Sequence, residues 1–166
     1  MRFRLFLFVL TAITLCTLSF FLSCAYGEIV DRVVASVNDT AITLSELREK
    51  HAAMRKSVAA VTENESLQSM INAQLLLEKA RHMRIEGETP DELIATYIDL
   101  KIRSSVVVQQ DAILSYYGEN LEKLGGAEFS LVREDIEKYL TELETTKLLK
   151  EHIQNLREVA DIAILL

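Results

Sequence analysis

The stretch IVDRVVASVNDTAITLSEL, residues 29–47, decides the fold. Val30, Val33, Val34 and Val37 are apolar with Asp31, Arg32 and Ser36 among them, an imperfect alternation that predicts a short strand packed on one face. Asn38-Asp39 supplies residues that tolerate the positive φ of a hairpin turn, and a very short return strand over 41–43 follows. Thr43-Leu44-Ser45-Glu46 then fits a capping box, with Ile42 and Leu47 where a hydrophobic staple would place them, so a helix starts there. Two short strands are at best marginally stable in water, so this hairpin needs a third strand or a helical bed from elsewhere in the chain.

The candidate strand lies at the other end. Ala160-Asp161-Ile162-Ala163-Ile164-Leu165-Leu166 is a short β-prone run after a long helical pattern. Its return to the hairpin predicts pairing of 33–37 with 162–165 and closure of one domain by its two ends. Between them the chain reads as helix. Leu44, Leu47, Met54 and Val58 give a stripe for a first helix ending near residue 60. A second, over 65–85, is apolar on more than one face and should be buried on several sides, with Gly87 placed to stop it. Thr89-Pro90-Asp91-Glu92 combines cap, proline at the first position and a glutamate three beyond the cap, and opens a third helix to about residue 105. Val106-Val107-Val108 either closes it or forms an extended link. A fourth helix is expected over 111–124, ended by Gly125-Gly126. Finally Val132, Ile136, Tyr139, Leu143, Leu149, Ile153 and Leu156 trace one apolar stripe over 131–158, about 42 Å of helix at 1.5 Å per residue. The expected class is mainly α with a small β element: several helices, an N-terminal hairpin and a C-terminal strand joined to it.

Residues 1–27 have the parts of a secretory signal: Arg2 and Arg4, an apolar run over 5–22, then small residues ending Ala25-Tyr26-Gly27. Cleavage after Gly27 and export to the periplasm are expected; retention as a membrane anchor and lipidation of Cys24 are the alternatives. Cleavage removes both cysteines, Cys16 and Cys24, which leaves 28–166 without disulfide, thiol or cysteine-metal chemistry. It also removes two cations, and the remaining 16 Lys and Arg against 25 Asp and Glu give a net charge of about −9. Such an acidic chain is poorly suited to nucleic acid, whose binding is dominated by phosphate neutralisation.

No catalytic constellation stands out. His51, His82 and His152 fall on three different predicted helices, without the spacing of a helical metal motif. Acidic residues are spread among basic partners along helix faces, as in Glu134 and Lys138 at the i, i+4 spacing. There is no nucleophile elbow, phosphate loop or calcium loop, so neither cofactor nor metal is expected. Met54, Met70 and Met83 suit adaptable binding surfaces as well as core filling, and Tyr116-Tyr117 could contribute a core residue and a rim residue.

The run over 29–39, followed by Ile42-Thr43-Leu44-Ser45-Glu46-Leu47, resembles the opening hairpin and first cap of the N-terminal domain of SurA-like periplasmic chaperones, relatives of the parvulin-type foldases. Met70-Ile71-Asn72-Ala73-Gln74-Leu75-Leu76-Leu77-Glu78-Lys79-Ala80 looks like that domain's central apolar helix. The tyrosine-bearing helix and the long final helix are similar to the elements that flank the catalytic domain in longer relatives. Here only Gly125-Gly126-Ala127-Glu128-Phe129-Ser130 separates them, too little for an isomerase domain, since independent domains seldom fall below about 50 residues. The resemblance implies an ATP-independent chaperone without proline isomerase activity. It would hold unfolded or partly folded exported chains, outer-membrane proteins above all, in an apolar groove between the hairpin-led helices and the long helix. Leu47, Met54, Met70, Leu77, Met83, Tyr116 and Tyr117 are the groove candidates. An adaptor that binds one envelope partner, or a dimer, is the alternative.

Overall fold

A computed structural model describes residues 31–165; the signal-like segment over 1–27 lies outside them. Three strands and five helices follow one another among the described residues. They are β1 (Val33–Val37), β2 (Thr40–Thr43), α1 (Leu44–Ser57), α2 (Glu63–His82), α3 (Pro90–Lys101), α4 (Gln110–Glu119), α5 (Phe129–Val159) and β3 (Ile162–Ile164). A single 3-10 turn, Arg103–Ser105, lies between α3 and an extended link over 106–109. The fold is mainly helical with a small antiparallel sheet, as expected.

The sheet has the order β2-β1-β3, so the hairpin does receive its third strand from the far end of the chain. Ala35, Ser36 and Val37 stand opposite Ile164, Ala163 and Ile162. On the other side Val33 faces Thr43 and Ala35 faces Ile42, which leaves Val34 as an extra residue in β1. This bulge accounts for the imperfect alternation: it lets Val34 and Ala35 both point into the core, each fully buried, before the pattern resumes at Val37.

The turn is a junction as well as a reversal. Asn38 adopts φ +50°, its N–H donates to the Asp161 carbonyl at 2.8 Å, and its side-chain oxygen accepts from the Asp161 N–H at 3.0 Å. Its amide nitrogen donates to Glu78 of α2 at 2.6 Å. One asparagine thus joins the hairpin, the chain leading into β3 and the central helix. Asparagine suits the position because its short polar side chain tolerates the left-handed region and bonds locally.

Capping boxes start three helices. Thr43 with Glu46 and Thr89 with Glu92 stand where the sequence puts them; Thr62 with Glu65 starts α2 two residues before the expected residue 65. At that third box, hydrogen bonds from Thr62 hold the Glu65 carboxyl below the usual carboxylate range. Helix α2 ends at His82, before Gly87. Arg84, not glycine, takes the left-handed residue at φ +55°, while its N–H donates to Arg81 O and the Ile85 N–H to Ala80 O. That paired pattern is a Schellman motif. Gly87 has a different task, because a Cβ there would come within 3.2 Å of Leu93 Cδ2.

Other boundaries moved inward: α1 stops at Ser57, leaving Val58 exposed, and α4 stops at Glu119 rather than at Gly125-Gly126. The double glycine instead carries positive φ in the turn that leads to α5. The main core gathers Val34, Val37, Ile42, Leu47, Leu67, Ile71, Leu75 and Tyr97, with Leu156 of α5 among them. Leu149, Ile153 and Ile162 pack against it. Only the C-terminal half of α5 therefore lies on the core.

Candidate functional site

Helix α5 has 31 residues, about 46 Å at 1.5 Å per residue. Its C-terminal half is fixed to α2 and α3. Arg157 donates to the side-chain oxygens of Asn72 and Gln68, both at 2.7 Å, and Tyr97 shares a 2.7 Å hydrogen bond between its hydroxyl and Nε2 of His152. Burial, with Lys101 and Lys79 adding repulsion, holds the His152 imidazolium below the ordinary pKa, so the ring is neutral at neutral pH.

The N-terminal half extends past this core and is covered on one side by α4. Ile113 and Ile136 are buried there, the rings of Tyr116 and Tyr139 are 5.2 Å apart, and Tyr117 sits 5.2 Å from Phe129 with its hydroxyl donating to Ala127 O. An exposed ion pair links this arm back to the 3-10 turn, where Arg103 is held by both Glu142 and Asp99. Hydrogen bonding to Glu142 first, and to Asp99 second, raises the Arg103 pKa; the same bond lowers that of Glu142.

The one apolar stripe traced along this helix divides between these two regions. Leu149, Ile153 and Leu156 are on the core, but Tyr139 is 50% exposed and Leu143 55%. No described element covers the outer face of the arm, because the helix outruns the core. Leu131, at 75% exposure, continues the same i, i+4 row through Asp135. Seven of the thirteen exposed large hydrophobics fall within 100–143. Exposed apolar side chains are therefore denser along the arm and its approach than over the rest of the described residues.

The seven groove candidates do not converge. Leu47 and Leu77 are buried, Met70 packs on the core, Met54 is half-buried on α1, and Met83, half-exposed, caps the end of α2. Tyr116 and Tyr117 are both half-buried and each packs on another aromatic ring, so neither is simply core or simply rim. Of the seven, only Tyr116 packs against the exposed row. Where the groove was expected, there is an open cleft of about 520 Å³ with Leu76, Ile94 and Ile153 on its apolar side and Glu65, Asn72 and Asp91 as polar neighbours. None of the seven lines it. The expected Glu134 to Lys138 pair is replaced by Arg133 with Glu137 at 3.4 Å and Lys147 with Glu144 at 3.1 Å.

Among the described residues no three histidine, cysteine or carboxylate side chains are grouped to hold a metal ion, and no helix is long and apolar enough to cross a membrane. His51 bonds to Ser66, itself fully buried and bonded to Thr62 O, so this histidine ties α1 to α2. A scan of protein-family models gives no match to this chain, and a search of curated proteins gives none either.

Proposed function

We propose that this protein is an exported, ATP-independent chaperone of the SurA-like type, without a parvulin domain, that holds unfolded or partly folded envelope proteins by apolar contact. The supporting observation is the denser occurrence of exposed apolar side chains along the arm and its approach, Tyr139, Leu143 and Leu131 among them, next to a well-tied core. An uncovered apolar surface of this kind marks an interaction site more often than it serves stability. The resemblance of the hairpin, first cap and central helix to the SurA-like domain supplies the family and the client class. With only a short glycine turn between α4 and α5, isomerisation forms no part of the reading.

The test is suppression of aggregation. An outer-membrane barrel protein, unfolded in urea, is diluted into buffer with and without the folded protein, and light scattering is followed. Slower aggregation at a few-fold excess is expected, unchanged by ATP. No suppression by a folded, monomeric protein overturns the reading.

A further inference from the structure

Around the exposed row the arm is acidic. Between positions 102 and 147 the chain has nine Asp and Glu against five Lys and Arg. Three of those cations are already engaged, Arg103 with Glu142 and Asp99, Arg133 with Glu137 and Lys147 with Glu144. Asp135 sits on the row itself, between Leu131 and Tyr139, is exposed, and has no basic partner within ion-pair distance among the described residues; Glu134 beside it is in the same position. The face thus offers four side chains at successive i, i+4 positions: a leucine, a free carboxylate, a tyrosine and a second leucine.

We infer that the row Leu131, Asp135, Tyr139 and Leu143 binds an unfolded segment in which apolar side chains are flanked by Lys or Arg. This deepens the proposed chaperone reading and rests on it. Charge decides between occupants. A second copy of this chain would bring an equally acidic arm against the first, and repulsion between like charges disfavours that pairing. A cationic segment gains twice: its ammonium or guanidinium group meets Asp135, and it can also lie over the face of the Tyr139 ring, which attracts cations. The apolar residues of the same segment then cover Leu131 and Leu143. Acidic flanks on the bound chain would meet unpaired carboxylates instead.

Two fluorescent peptides with the same apolar centre, one with lysine flanks and one with glutamate flanks, test this by anisotropy on the intact protein. The lysine peptide should bind about two- to fivefold tighter per exposed charge contact at low salt, a preference that shrinks as salt screens it. Asp135→Asn should lower the preference, and Tyr139→Ser with Leu143→Ser should weaken both peptides; these positions are exposed, and unchanged thermal unfolding verifies that the variants remain folded. Equal binding of the two peptides, or binding and preference untouched by these variants, overturns the inference. So does light scattering that shows a dimer disrupted by the double variant. If aggregation suppression survives in the variants, the chaperone reading stands and the row is not its site; if the parent protein suppresses nothing, the chaperone reading itself fails.

Discussion

In the half of the molecule built on the sheet, every wall of the core comes from a different part of the chain; in the arm, α4 and the first half of α5 are neighbours in sequence and rest chiefly on each other. The sheet half buries Val34, Leu67 and Ile71 completely and ties its helices with Asn38, Arg157 and the Tyr97–His152 bond. The arm buries Ile113 and Ile136 and is tied back by an exposed ion pair. Between the halves, Thr141, Thr145 and Thr146 hydroxyls donate to carbonyls one turn earlier in α5, which softens a helix at that point. Closure by distant residues makes a stable platform, and local packing leaves an apolar face uncovered.

The largest effect should come from the platform. Ile71→Ala should lose about 2–5 kcal/mol in urea unfolding, while Leu143→Ala on the arm should stay within about 0.5 kcal/mol. A Leu143→Ala cost comparable to that of Ile71→Ala would mean that the arm face is covered in solution, and would end the contrast. Next, Asn38→Ala removes the side-chain bonds to Asp161 and Glu78 and leaves a residue with a Cβ but no polar side chain at φ +50°. A loss of about 1–3 kcal/mol is expected in thermal unfolding, with Asn38→Gly recovering the conformational part. Arg84→Gly should raise stability by about 0.5–1 kcal/mol, because glycine takes the left-handed position at the end of α2 without strain. No gain would mean that Arg84 has a compensating role at the end of that helix.

The smallest effect is on pH dependence, and near neutrality it sharpens the comparison because the group that titrates there, His152, lies in the platform. The pKa of His152 is lowered in the folded protein, so its contribution is complete above the ordinary value of 6.5. It declines as pH falls below that value, because the unfolded chain binds the proton first. Glu142 shifts downward, so the ion pair with Arg103 keeps its contribution until the pH drops through the carboxylate range. Mild acid should therefore lower the unfolding temperature through the Tyr97–His152 joint, and His152→Gln should flatten that slope between pH 7 and 5.5. An unchanged slope would remove His152 as the cause.

Much of this platform is legible in the sequence because its signals are local and physical. The valines with Asn38-Asp39, and the threonine-glutamate boxes at Thr43 and Thr89, specify conformation within four or five residues. The match between two orphan strands then predicts a contact across the whole described chain. Thr62 was hidden in the same code, three residues before Glu65, under a polar stretch without apolar period. The exposure of the arm was not legible, because periodicity shows which residues share a helix face, not whether anything lies opposite. Tyr139, Leu143 and Leu156 look alike along the stripe, and only the reach of the core separates them. Arg84 could not be foreseen either: glycine is the preferred residue for that position, and Gly87 stood nearby with a packing role instead.

The placement of β1 between its partners also determines how the molecule yields to force. β1 and β3 are antiparallel, so the start of one lies beside the end of the other, and Leu165 donates its N–H to Val34 O. A pull applied through Arg32 and Leu165 loads the hydrogen bonds one at a time from that edge, as a zipper opens, rather than all together in shear. A domain held by a distributed core should thus give way at low tension when it is drawn out by both flanks, with the β1–β3 seam as the first contact to part.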